Sequence, residues 1–240
     1  RGSAETWARH RSVYVVLGGI ATPLVISVHS IVSMDFAIGI VPGWHSQIFP
    51  PFFVAGAIFS GFAMVLTLLL PVRRLYRLEN VVTKYHLDML GRMVLMTSLI
   101  VAFSYASELW NTARGHDVFE VHQNFYTRLR GPYAWAFWTT IVCNVCLPQS
   151  LWWKRARTSA TFLFVLSLFI QVGMWLERFL IITGSLSQDF LPSSWHDYAP
   201  SFVDVLILAG TLGFFGFAFL VFLRFVPFIP IRELQAEARR

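Results

Sequence analysis

The residues that could do chemistry in this chain are ionisable groups set in apolar sequence. Asp35 ends the stretch Val28-His29-Ser30-Ile31-Val32-Ser33-Met34-Asp35, and Glu177 and Arg178 lie within Met174-Trp175-Leu176-Glu177-Arg178-Phe179. Glu108, Asp204 and the group His86, Asp88 and Arg92 stand near the edges of other apolar runs. Charged side chains inside a membrane are costly unless paired, so they mark a pathway, a partner or a bound group. Burial opposes the charged form of a carboxylate, and a neighbouring arginine favours it. A cluster holding both suits the uptake and release of protons in a dry place.

Each of these residues also has a plain structural reading. Asp204 can cap the start of a helix, where the dipole favours an acid. Glu108 can be an ordinary interfacial residue. His86 and Asp88 can simply begin a span, and Asp88 and Arg92 are four apart, the spacing of a pair along one helix. Arg178 can pair with an acid on another helix, and His29 can be a satisfied buried histidine. Asp35 and Glu177 fit such readings less well, because apolar sequence flanks each on both sides.

Composition says which elements must position these groups. The 240 residues are 56% hydrophobic and 13% charged, with a mean hydropathy of +0.59. A soluble domain carries about 25% charged residues, so a soluble enzyme, a disordered chain and a disulfide-framed secreted domain are excluded. Six apolar segments, about 13–37, 48–70, 87–110, 133–152, 161–182 and 202–222, are each long enough to cross a bilayer as a helix of about 20 residues. Strict alternation over strands of about 10 residues, as in a membrane barrel, is missing. The expectation is an all-α polytopic membrane protein of six transmembrane helices.

Basic residues orient the helices. Fourteen of the nineteen lysines and arginines lie before the first segment, after the second, after the fourth and at the chain's end. The opposite loops hold only Arg114, Arg128 and Arg130. The positive-inside rule then places both termini in the cytoplasm. Trp44, Trp110, Trp195 and Tyr198 near the outer ends suit an interfacial aromatic belt. Gly56, Gly61, Gly210, Gly213 and Gly216 lie on spans and read as packing residues. No signal-peptide pattern is visible at Arg1, and a preceding N-terminal portion is expected.

In this orientation Asp35, Glu108, Glu177, Arg178 and Asp204 fall at similar depth in the outer part of four helices. His29 lies deeper on the helix of Asp35, while His86, Asp88 and Arg92 fall near the inner side. Oxidation of a quinol needs such a place, because two electrons leave and two protons must pass to an acid or base. Asp35, His29 and Glu177 have suitable side chains. Paired histidines for a bound haem are missing from the spans. Cys143-Asn144-Val145-Cys146 lacks the second pair or following histidine of a metal or haem motif and reads as core packing.

Several stretches together resemble one family. They are Val28–Ala37, Pro42-Gly43-Trp44-His45, Phe49-Pro50-Pro51-Phe52-Phe53, Gly131-Pro132-Tyr133, Cys143-Asn144 with Pro148-Gln149, Met174–Phe179, and Asp189-Phe190-Leu191-Pro192-Ser193-Ser194-Trp195. They resemble the NrfD and polysulfide reductase-like membrane subunits, and most closely the large quinol-oxidising membrane subunit of alternative complex III. The resemblance implies menaquinol or another quinol as the bound redox molecule, and no metal of the chain's own. It implies a periplasmic iron–sulfur subunit, multihaem cytochrome c subunits and a paralogous membrane subunit as partners, with iron–sulfur clusters and haem c held there. It implies the bacterial inner membrane, and a four-helix bundle as the second of two in a longer subunit whose C-terminal portion this is. His29 and Asp35 then map to the family's histidine–aspartate segment, and Glu177 and Arg178 to its glutamate–arginine pair, as implied quinol-site or proton-transfer residues.

Two other readings stay open. A proton-coupled transporter would carry inverted repeats and broken helices; Pro23 could break the first span, but no paired counterpart is clear. A passive anchor for peripheral redox subunits would tolerate loss of the acids and depend on the outer loop His116–Arg130.

Overall fold

The computed structural model describes residues 4–44, 48–115, 117–188 and 191–226. Of the residues named above, Arg1, His45, His116, Asp189 and Phe190 lie outside the described ones, as do the basic residues beyond position 226. The described residues are helical, with no strand among them. Five helices are long and apolar enough to cross a membrane. They are α1 (Ala4–Ala37), α2 (Phe49–Leu75), α3 (Lys84–Arg114), a run over 160–187 that begins as α5 (Ala160–Phe179), and α6 (Phe202–Phe225). Several helices outrun the apolar segments that foretold them. α2 continues through Arg73 and Arg74, and α3 starts at Lys84 and ends at Arg114, because charged residues end an apolar run without ending a helix.

The segment 133–152 takes a different form from the other spans. It starts as α4 (Ala134–Ile141), widens to a π-helix over Val142–Cys146 and tightens to a 3-10 helix over Leu147–Trp152. Pro148 has no N–H to give the carbonyl four residues back, which removes an α-helical hydrogen bond where the 3-10 turn begins, although α-helix continues through Pro23 in α1 and Pro71 in α2. Cys143 is buried and Cys146 exposed, both as free thiols, so only the first of them packs in the core.

The chain forms two compact units, 1–196 and 197–240. In the first, α2 is central and packs against α1, α3 and α5. Its core is built on Phe49, Phe59, Leu66, Val94, Leu163 and Ile170. α1 is exposed along most of its length, with Ser33 its one buried residue among those described. In the second unit, α6 is apolar and has no buried residue. Within the first unit a methyl on Gly61 would meet nothing within 4 Å, whereas one on Gly56 would meet Met174 and Arg178.

At the basic end the ionic groups act as fasteners. Arg157 Nε lies 2.7 Å from Asp88 Oδ1, and its NH1 donates to the Leu151 and Trp152 carbonyls. Arg92 pairs with Asp88 at 2.6 Å, the four-residue spacing read from the sequence. His86 closes a capping box with Thr83 at the start of α3. Asp204 does the same for α6, accepting from the Ser201 N–H, the Ser201 hydroxyl and the Tyr198 hydroxyl. Asp88 and Arg157 thus join two elements, Arg92 pairs with Asp88 within α3, and His86 and Asp204 cap the starts of their own helices.

Candidate functional site

Glu177 is 3% exposed, on the face of α5 that meets α2, α3 and the fourth segment. The Tyr105 hydroxyl, from α3, donates to its Oε2. Asn144 Nδ2 donates to the Tyr105 oxygen at 3.3 Å and lies 3.4 Å from Met174 Sδ. Arg178 NH2 stands 3.2 Å from Glu177 Oε1, an electrostatic pairing without hydrogen-bond alignment. The Arg178 guanidinium lies 4.1 Å above the Phe53 ring, where a cation is attracted to the π face. Glu177 Oε1, Arg178 NH1 and Asn144 Oδ1 are buried without a hydrogen-bond partner among the described residues. Unpaired buried polar atoms are rare and call for an explanation, such as water or a titrating group.

Two glycines and a π-helical turn allow this network. A methyl on Gly173, one turn before Glu177, would overlap Asn144 Oδ1 and lie 2.6 Å from Cys143 Cβ. A methyl on Gly56 would lie 3.1 Å from Met174 Cε and 3.3 Å from Arg178 NH2. π-Helical turns recur at functional sites, and this one carries Asn144 toward Tyr105. We expect Gly173→Ala to destabilise the fold by about 1–3 kcal/mol, the usual cost of overpacking. Thermal denaturation of the purified protein in detergent checks this, and an unchanged melting temperature would mean the two helices can part freely.

A second buried group lies close by. Arg128 NH1 donates to Glu108 Oε1 at 2.7 Å, with both side chains mostly buried. Arg128 NH2 donates to the Gly43 carbonyl at 3.3 Å, and the Gly43 N–H donates to Glu120 Oε1 at 3.0 Å. Asn124 Nδ2 donates to Thr112 Oγ1 at 2.7 Å and to Glu120 Oε2 at 3.4 Å. Gly43 has φ +86°, a backbone that favours glycine. Burial pushes the Glu120 carboxyl above its ordinary pKa, the Gly43 N–H and Arg128 pull it back, and Glu108 and Asp117 add to the rise.

Tyr105, Glu108, Arg128, Thr140 and Glu177 line one cavity. The cavity measures ≈ 30 Å³. One water needs about 10–15 Å³ on that measure, so the cavity holds about two. Sites for larger ligands run to about 300–1,000 Å³. Among the described residues, no three of His, Cys, Asp and Glu converge as metal ligands.

The residues singled out in the sequence therefore do not form one cluster. Glu177 and Arg178 pair with each other, and Glu108 lines the same cavity as Glu177. His29 and Asp35 lie on α1 outside that network: Asp35 is exposed and His29 half-buried. No hydrogen bond or ion pair joins Asp35 to another described residue. The two are six positions apart, about 120° around the helix, so they cannot share one line of sight. His29 Nδ1 bonds the Val25 carbonyl at 2.8 Å. That contact makes Nδ1 the donor and leaves Nε2 as an acceptor in the neutral ring.

Tyr105, Arg128, Glu120 and Asn144 escaped the sequence reading. A signal existed for the first: Tyr105, Glu108 and Thr112 recur at helical spacing on one face of α3. Arg128 read as an ordinary loop charge, and nothing local distinguishes Asn144.

A search of curated proteins finds no match to the chain. A family model, described as "Polysulphide reductase, NrfD", matches residues 3–188.

Proposed function

The chain belongs to the polysulphide reductase NrfD family, and from that premise we propose that it is the quinol-handling membrane subunit of an electron-transfer complex resembling alternative complex III. The observation that carries this reading is Glu177: a carboxylate held in an apolar bundle by Tyr105 and Arg178, beside a cavity sized for water. Such a group suits the uptake of protons where bulk water is excluded.

The cavity beside Glu177 is too small for a quinol ring, so it supports a water and proton station. The exposed surface of α1 is open to a headgroup: it is apolar, with the imidazole of His29 and the carboxylate of Asp35 on different faces, so a headgroup there meets one of them at a time. In the proposed reaction the quinol gives two electrons to an iron–sulfur partner and two protons to the protein. His29 Nε2 is oriented to accept a hydroxyl proton, since Nδ1 is engaged by the backbone. Asp35 is a second acceptor at the outer end of the same helix. Arg178 stabilises the charged form of Glu177. Multihaem cytochrome c subunits, a paralogous membrane subunit and a bacterial inner-membrane location, with both termini cytoplasmic, complete the proposal.

The test uses the assembled complex. His29→Ala and Asp35→Asn should each lower quinol-driven electron transfer by about 10²-fold, the low end of general acid–base effects, with subunit composition unchanged. Unchanged turnover in both variants would remove α1 from the site.

A further inference from the structure

The geometry around Gly43 points to a step beyond Glu177. We infer that Gln123, Ser185, Arg128 and the Gly43 peptide enclose a small water cluster that passes protons from the Glu108–Glu177 cavity to Glu120, the terminal acceptor at the protein surface. This rests on the proton-handling reading above.

Four features of the molecule carry it. First, both amide atoms of Gln123, which is 1% exposed, lack a partner among the described residues. Ser185 Oγ, Arg128 Nε and Asn124 Oδ1 are in the same condition. Second, the side chains of Gln123, Ser185 and Arg128 converge on Gly43. A methyl on Gly43 would lie 3.0 Å from Gln123 Cγ, 3.0 Å from Ser185 Oγ and 3.3 Å from Arg128 NH2. Donors and acceptors gathered without partners are what a buried water needs, since it makes about three hydrogen bonds. Third, the cluster lies between two acids. The Gly43 carbonyl faces Arg128, which holds Glu108, and the Gly43 N–H faces Glu120. Fourth, Glu108 lines the cavity that Glu177 also lines, and Glu120, half-buried as Glu108 is, meets solvent.

The chemistry is proton transfer alone. Arg128 keeps its protons and fixes the two carboxylates on opposite sides of the peptide. Water held by Gln123 and Ser185 carries the proton across. Glu120 then loses it to bulk water, while the electrons leave by the iron–sulfur partner.

The experiment reconstitutes the assembled complex in liposomes with a pH-sensitive dye and follows single and repeated turnovers. In Glu120→Gln the first turnover should run at the wild-type rate, because the acceptors upstream of Glu120 take the protons. Later turnovers and proton release should slow by roughly 10²-fold, and millimolar formate should restore them. Gln123→Leu, which removes unpartnered polar atoms at nearly constant volume, should fold normally and slow the same later turnovers. Proton release at the wild-type rate in Glu120→Gln, or a slowed rate that formate does not rescue, overturns the inference. If Glu120→Gln does not assemble, wild-type rates in Gln123→Leu overturn it. The underlying reading fails separately, if Glu177→Gln leaves the first turnover unchanged.

Discussion

Glu177→Gln should lower quinol-driven electron transfer by about 10²- to 10³-fold in a complex that still assembles, within the range for loss of a positioned acid or base. The amide keeps the volume of the carboxyl, and its carbonyl oxygen can still accept from Tyr105, whose hydroxyl now reaches Oε2. Packing against Gly56 and Met174 should be retained. What disappears is the ability to bind and release a proton. Tyr105→Phe separates the two roles: it removes the hydrogen bond, leaves the carboxylate and should cost less turnover than Glu177→Gln. Stopped-flow reduction of the acceptor by quinol reads both variants. A Glu177→Gln complex with wild-type turnover would make the glutamate structural and favour the passive-anchor reading.

Arg128→Met should destabilise the protein by about 3–5 kcal/mol, because it leaves a buried carboxylate without its cation. The side chains of Arg128 and Glu108 are 9% and 13% exposed, so water can replace little of the lost pairing. The Gly43 carbonyl loses a donor as well. Adding Glu108→Gln to Arg128→Met should recover much of the loss, since the uncompensated charge is then gone. Residues in one ionic network couple in this way. Denaturation in detergent of the two single variants and the double variant measures the coupling. Additive losses would show that Glu108 and Arg128 act independently.

The two variants probe different layers of what could be read from the residues. The apolar runs, their lengths and the separation of basic from neutral loops are local properties of the chain. They foretold five of the helices now seen as long enough to cross a membrane. The same local view left the segment 133–152 looking like its neighbours. Pro148 and the π-helical turn before it gave that segment a different path, and with it Asn144 its place beside Tyr105.

Glu177 and Arg178 stood out because an acid and a base inside apolar sequence are costly wherever they face. His29 and Asp35 stood out for the same reason, yet they lie apart from the bundle network. Cost alone marks a residue without saying which neighbour answers it. Arg128 shows the converse: in the sequence it is one of three basic residues in outer loops, and in the fold it holds Glu108 and Gly43 together.

The order of residues was enough for the apolar runs that five long helices now carry and for the ionisable groups set within them. Each of these depends on hydropathy summed over neighbours along the chain. Packing alone decided which groups meet, because that depends on how far each helix is rotated about its own axis. Gly173, Gly56 and the turn at Val142–Cys146 set those rotations through contacts between residues distant in sequence, and Gly43 gathered Glu108, Arg128 and Glu120 around one peptide in the same way.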